Sequence, residues 1–276
     1  MAPLLATLAR RAAAPPELPW LFFRRELDWR WRSHRQVADH LARAAAAIAQ
    51  RPERTFTGLP LAGAESLSLL LATLLAGADF VPLHEAAPEV PLLIPADSKW
   101  PEIPPEGEAR PIVELPAARG NIDRYQAEPL PQDAAGRLLT RGLSLGLADL
   151  ERQAAAIAVT LFAGEMAGRE PSNGKTIVHA GAKIAEAEAL ALLLATLADE
   201  KAVLALEPYP PATTESFLWC RPTHLFATSA ELAELAEAWT KKTAKRSRLR
   251  KIVAVGEVDP TWSALLGVPV AGLPRK

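Results

Sequence analysis

A hexapeptide that occurs twice is the feature that most limits the fold. LLLATL stands at residues 69–74 and again, letter for letter, at 192–197. The first copy sits in SLSLLLATLLAGADFVPL, residues 66–83, which reads as a buried helix, a stop at Gly77 and a short apolar strand over 78–83. The second sits in LLLATLADEKAVLAL, residues 192–206, and runs into another apolar strand over 201–206. An apolar helix followed by a short, unalternating apolar strand describes a strand covered on both faces. Two such units organise the chain as a layered α/β protein.

The length of 276 residues suits one large α/β domain or two lobes. Hydrophobic residues at 49% and charged residues at 23% exclude wholesale disorder. The formal net charge of −1 gives no global field for nucleic acid or an acidic membrane, so neither partner is expected. Cys220 is the single cysteine, which excludes an internal disulfide and a Cys-based metal site and points to a reducing, cytoplasmic setting. The opening MAPLLATLARRAAAPP places its apolar run before its basic pair, the reverse of a signal peptide. No apolar run approaches the ~20 residues that cross a bilayer.

In chain order, residues 4–13 read as a short amphipathic helix ended by Pro15 and Pro16. Next, PWLFFRRELDWRWRSHR alternates aromatics with arginines, as a strand or hairpin with one buried face does. Trp29, Arg30, Trp31 and Arg32 are its candidate partner surface, through cation–π and stacking contacts; an edge hairpin with wet arginines is the simpler reading. Ser33 is placed as the N-cap of a helix over 34–50, with Val37, Leu41, Ala45 and Ile48 on one face. On that helix His34 and His40 are expected to face solvent, and Asp39 with Arg43 to form a surface pair.

Strands are expected over 55–61, 92–94 and 112–115, with a proline-rich connection over 86–131. The boundary between the lobes, 1–133 and 134–276, is placed just after that connection. In the second lobe, 137–140 is a short strand and 147–161 a helix with Leu150, Ala154, Ile157 and Leu161 inward. Gly168 to Gly174 reads as a turn and 213–217 as the start of a helix. Strands follow over 175–178, 224–227 and 252–255, and Ser229 caps the helix SAELAELAEAW. The run KKTAKRSRLRK, with Lys241, Lys242, Lys245, Arg246 and Arg248, is a second candidate surface, for phosphate, RNA or an acidic partner such as a carrier protein, or a solvated loop before a strand. Ser66 and Ser216 have no Gly-x-Ser-x-Gly context; Ser144 has those letters, in GLSLG at 142–146, and hydrolase chemistry is not the expectation drawn from them.

The ordered set of segments resembles the N-terminal region of the adenylate-forming superfamily, which includes acyl- and aryl-CoA synthetases. RRELDWRWRSHRQVADHLARAAAAIAQ resembles its opening strand pair and first helix, and SLSLLLATLLAGADFVPL its helix and Val-Pro strand. LADLERQAAAIAVTL is similar to the helix after the phosphate loop. RPTHLFATSAELAELAEA with SRLRKIVAVGE resembles the strand–helix–strand leading to a Gly-Glu turn, here Gly256 and Glu257. The resemblance implies an α/β fold of mostly parallel sheets flanked by helices. It also marks His179 and Gly256 as candidate residues of a ligand pocket.

The departures set the functional expectation. In the family, a Ser/Thr/Gly-rich loop ending in Pro-Lys surrounds the ATP phosphates with backbone N–H groups. The corresponding place here is LTRGLSLGL, residues 139–147, where Gly142, Ser144 and Gly146 alternate with leucines and no Lys follows. The aromatic–Thr–Glu motif for adenine and magnesium, the ribose-binding Asp and the small domain with its catalytic Lys would lie at or beyond the last residues. The expectation is therefore a truncated, degenerate relative with no catalytic, cofactor or metal residues, acting as a binding or scaffold subunit. Its partner would be a ligase, a carrier protein or a second copy. The alternative is a ligase component whose site a partner chain completes.

Overall fold

Helix-then-strand units recur along the chain, and in the computed structural model they build two sheets. The described residues are all except 1–2, 16, 26–27, 59–63, 97–109, 124–125, 132–134, 163–175, 182, 207–219 and 274–276. The turn expected over 168–174 and the helix expected over 213–217 lie outside them. From the N-terminus the elements are α1 (Pro3–Ala13), β1 (Pro19–Arg25), β2 (Asp28–Ser33), α2 (His34–Ala49), β3 (Thr55–Gly58), α3 (Ala64–Leu75) and β4 (Asp79–Pro82). Then come β5 (Leu92–Pro95), β6 (Ile112–Leu115), β7 (Arg137–Thr140), β8 (Leu143–Gly146), α4 (Leu147–Phe162), β9 (Thr176–Ala180) and α5 (Glu186–Ala195). The last are β10 (Ala202–Leu206), β11 (His224–Thr228), α6 (Ser229–Ala238), α7 (Lys241–Arg246), β12 (Lys251–Val255), α8 (Trp262–Leu266) and β13 (Val270–Gly272).

The chain divides into two compact units, residues 1–19 with 32–151 and residues 20–31 with 152–276. The first unit thus runs past residue 133 to Glu151. Strand β7 pairs with β4 through Phe80 and Leu138, and the Arg137 guanidinium bonds the Asp79 carboxylate at 2.8 Å, so residues 136–146 complete the first sheet. Conversely, β1 leaves the N-terminal region to pair with β10, Leu21 opposite Leu204.

In the first unit the strand order is β6-β5-β3-β4-β7-β8, parallel except for the β7–β8 hairpin. Helix α2 is its centrepiece. Ser33 Oγ accepts the Gln36 N–H at 3.1 Å while Gln36 Oε1 accepts the Ser33 N–H at 3.0 Å, a reciprocal cap that satisfies two donors at the helix start. The helix is buried on more than its apolar stripe. His34 and His40 are 2% and 3% exposed, and Asp39 is wholly buried. The expected surface residues are thus inside. Arg43 Nε bonds Asp39 Oδ2 at 2.8 Å and its Nη2 bonds the Ala117 carbonyl at 2.8 Å, which fastens the proline-rich connection onto α2. A buried pair of this kind is costly to break from one side, about 3–5 kcal/mol.

The second unit has the order β13-β12-β11-β9-β10-β1-β2. The pairings of β1 with β10, β10 with β9, β9 with β11, β11 with β12 and β12 with β13 are all parallel. All five residues of β10 are buried, as its unbroken apolar sequence requires. The four inward residues expected on α4, Leu150, Ala154, Ile157 and Leu161, are 3% exposed or less.

Candidate functional site: the C-terminal strand edges

In open parallel sheets, ligands sit beyond the carboxyl ends of the strands. Each unit has such an edge, and in each a glutamate occupies it.

In the first unit, β7 and β8 are joined by two residues, Arg141 and Gly142, with φ of 49° and 73°. Two positive φ values in a two-residue connection define the tight turn whose twist matches a hairpin. The segment 139–147, which the resemblance sets against a phosphate loop, is strand and turn here, and LSLG forms a strand. Glu85, in the turn after β4, reaches across to it. Its Oε1 accepts the Thr140 hydroxyl at 2.7 Å and its Oε2 accepts the Arg141 backbone N–H at 2.6 Å. The Arg141 N–H first, then the Thr140 hydroxyl, hold the Glu85 carboxyl below the ordinary carboxylate range. His84 Nε2 lies 3.3 Å from Glu85 Oε1, with the imidazole 65% exposed.

In the second unit, Glu231 in the first turn of α6 does the same at the ends of β9 and β11. Its Oε1 accepts the Lys183 N–H at 2.8 Å, and its Oε2 accepts the Thr228 N–H at 2.9 Å and the Thr228 hydroxyl at 3.0 Å. Thr228, not Ser229, is therefore the N-cap, closing a reciprocal cap with Glu231. Gly181 lies directly under this carboxylate: a Cβ there would come within 2.4 Å of Glu231 Oε2. Lys183 Nζ bonds Glu234 at 2.5 Å, which raises the Lys183 pKa. Ser229 has the first helical position instead, and its hydroxyl bonds the Glu257 carbonyl at 2.5 Å. Gly256 passes beneath that hydroxyl with φ of 115°, where a Cβ would meet Ser229 Oγ at 2.7 Å. Conformation and space both require glycine there.

His179 and Gly256, the two residues marked as a pocket, share this edge without adjoining. His179 is 2% exposed in β9, and β11 separates its strand from β12, which leads to Gly256. The two candidate partner surfaces are also separate. Arg30 and Trp31 are exposed, Trp31 at 48%, and Arg32 is half-buried, on β2 at one end of the seven-stranded sheet. Lys245 and Arg248 are exposed on the segment entering β12, near the other end. The side chains of Trp29, Lys241, Lys242 and Arg246 lie outside the described residues. Along α2, a groove of about 730 Å³ runs between alanines 42, 45, 46 and 49 and Pro116, Pro129 and Pro131. Among the described residues, no group of three or more His, Cys, Asp or Glu is arranged to hold a metal.

Sequence reasoning missed both glutamates. Thr-x-x-Glu at 228–231 is a capping-box pattern, so Glu231 was findable. Glu85 carries no local signal, because its partners are 55 and 56 residues away.

No family model and no curated protein matches the sequence. Solved structures do match the fold. A fatty acyl-adenylate ligase from L. pneumophila, in complex with acyl adenylate and pyrophosphate, superposes with a TM-score of 0.66 at 15% identity over 95% of this chain and 51% of that one. The N-terminal domain of FACL13 from Mycobacterium tuberculosis gives 0.66 at 16% identity, over 99% and 75%. An O-succinylbenzoate coenzyme A synthetase from Bacillus subtilis, with ATP and magnesium, gives 0.61 at 15% identity, over 96% and 58%. The chain has the fold of the N-terminal region of adenylate-forming ligases and spans about half the length of the L. pneumophila protein.

Proposed function

We propose that this chain is a non-catalytic relative of the adenylate-forming ligases, a cytoplasmic binding or scaffold subunit in a pathway that activates acyl or aryl acids. One observation supports this reading: the Glu85 carboxylate lies on the turn that the resemblance sets against the family's phosphate loop. A triphosphate cradle needs several converging N–H groups and a cation. A two-residue turn supplies few, and the Arg141 N–H is already given to an anion of the protein itself. A phosphate arriving there would also meet a fixed like charge. The single cysteine, Cys220, is buried and forms no disulfide, which agrees with a reducing compartment.

The test is calorimetric titration with Mg-ATP together with pyrophosphate exchange over a panel of acyl and aryl acids. No heat of binding and no exchange are expected. Tight binding of Mg-ATP by the chain alone would overturn the reading. Exchange that arises only when a co-purified chain is added would replace it with a ligase component completed by its partner.

A further inference from the structure

The two sheets present four edge strands, and they differ in how they discourage pairing. Strand β2, DWRWRS, carries Asp28, Arg30 and Arg32; β6, IVEL, carries Glu114 and is bracketed by Pro111 and Pro116. Strand β13, VAG, is three residues long and follows Pro269. Charge, proline and brevity are the usual means of keeping an edge from extending. Strand β8, LSLG, has neither a charge nor a proline. Its Leu143 is 58% exposed and its Ser144 is exposed.

The hairpin register fixes which backbone groups face outward. Thr140 and Leu143 close the turn, Leu138 lies opposite Leu145, and Leu139 opposite Ser144. Hydrogen-bonded and open pairs alternate from a two-residue turn, so the Ser144 N–H and C=O point away from β7. Gly142 and Gly146 point the same way, and the Gly146 N–H is capped by Asp149 at 3.0 Å.

We propose that β8 is a self-association edge, on which two copies of this chain pair antiparallel about a two-fold axis at Ser144. In that register Ser144 faces its own copy and exchanges two backbone hydrogen bonds with it. Leu143 lies opposite Leu145 of the second copy, and Gly142 opposite Gly146. The leucines form a continuous apolar row on one face, and Asp149, on the Gly146 N–H, confines the backbone pairing to the centre of the strand. A register centred on Leu145 would instead offer groups that already face β7. The contact is isologous, as a two-fold dimer requires, and joins two six-stranded sheets. One short strand pair is a small interface, so the dimer is weak and concentration-dependent. Self-association and nucleotide exchange are measured separately, so this inference and the proposed function can fail independently.

Sedimentation velocity of the full chain from about 1 to 100 μM tests it. The weight-average mass is expected to rise toward twice the monomer value, with little dependence on salt, because no charge pairing is involved. Ser144→Lys sets two ammonium groups against each other on the axis and is expected to abolish the rise. Ser144→Cys is expected to cross-link two chains under mild oxidation, since paired Cα atoms in such a ladder lie about 5.5 Å apart, within disulfide reach. Cys220 is buried and leaves that readout clean. A wild-type chain that stays monomeric throughout overturns the proposal. So does a dimer that survives Ser144→Lys, or one lost instead on Trp31→Ala. If Ser144→Lys does not fold, the cross-link alone decides, and its absence overturns the proposal.

Discussion

In the first unit LLLATL continues as α-helix through Leu75, whereas in the second the α-helix stops at Ala195, inside the hexapeptide. The first copy is followed by Leu-Ala-Gly. The Gly77 N–H bonds the Leu74 carbonyl at 3.1 Å and the Ala78 N–H bonds the Thr73 carbonyl at 3.1 Å, with Gly77 at φ of 74°, a left-handed cap that satisfies the last carbonyls. Gly136, from the far end of the unit, adds its own N–H to Leu74 O at 3.2 Å. The second copy has no glycine to turn on. Its threonine, Thr196, starts a 3-10 turn, donates to the Leu193 carbonyl at 2.6 Å and accepts the buried Trp20 indole N–H at 2.8 Å. Among the described residues, the Thr73 hydroxyl of the first copy makes only the local bond, to Leu69 O at 2.8 Å. Six identical residues thus end differently because their neighbours, one adjacent and one 176 positions away, differ.

The largest expected effect treats the units alike. Each buries a histidine whose pKa is pushed down to about 4. His34 is shifted by burial and then by Arg11; His224 by burial and then by Lys251 and Arg250. The unfolded chain takes up each proton near pH 6.5 and the folded chain near pH 4. Stability is therefore intact above pH 6.5 and falls as pH drops toward 4, by about 3 kcal/mol per histidine at the lower end. Urea denaturation at several pH values should show that slope. A flat profile over the window would mean that the folded histidines protonate freely.

Gly136→Ala separates the units. Its Cβ would stand 2.2 Å from the Ala78 carbonyl oxygen and 2.7 Å from Leu74 Cα, both backbone atoms, so the first unit should lose about 3 kcal/mol. Amide hydrogen exchange should register the loss in α3 and β4 and leave β10 protected. Uniform deprotection would show that the units unfold as one.

Thr196→Val and Thr73→Val compare the two threonines at equal chemistry. The first removes the acceptor of a buried indole N–H and should cost about 2 kcal/mol; the second removes a bond within one helix and should cost under about 0.5 kcal/mol. Equal costs would mean that the indole contact adds nothing. The smallest of the backbone effects is Gly77→Ala. No atom crowds the position, so only the left-handed conformation is strained, at about 1 kcal/mol. A melting temperature unchanged by this substitution would remove the glycine from the account of how α3 ends.

Element types were readable because they depend on local patterns. Apolar runs gave β4, β10, β11 and β12 to within a residue or two, and helical spacing gave the inward face of α4. Segment order was enough to indicate the α/β fold of the ligase N-terminal region, because order survives when identity has fallen to 15%. Other features depended on residues far apart in the chain. The burial of His34, His40 and Asp39 follows from what packs around α2, including Ala117, 74 residues from Arg43. Charge and periodicity marked these residues for solvent, because periodicity describes one helix and not what covers it.

The sequence by itself determined most of the helices and strands and the absence of lysine from residues 139–147, since composition and short-range spacing fix those. Tertiary structure alone decided that β1 joins the second sheet, that β7 and β8 close the first, and that Glu85 lies on the turn between them. The pairings of β1 with β10 and of β7 with β4, and the reach of Glu85 to the turn, all cross gaps of tens of residues. Such pairing is set by packing geometry, which no local pattern in the chain encodes.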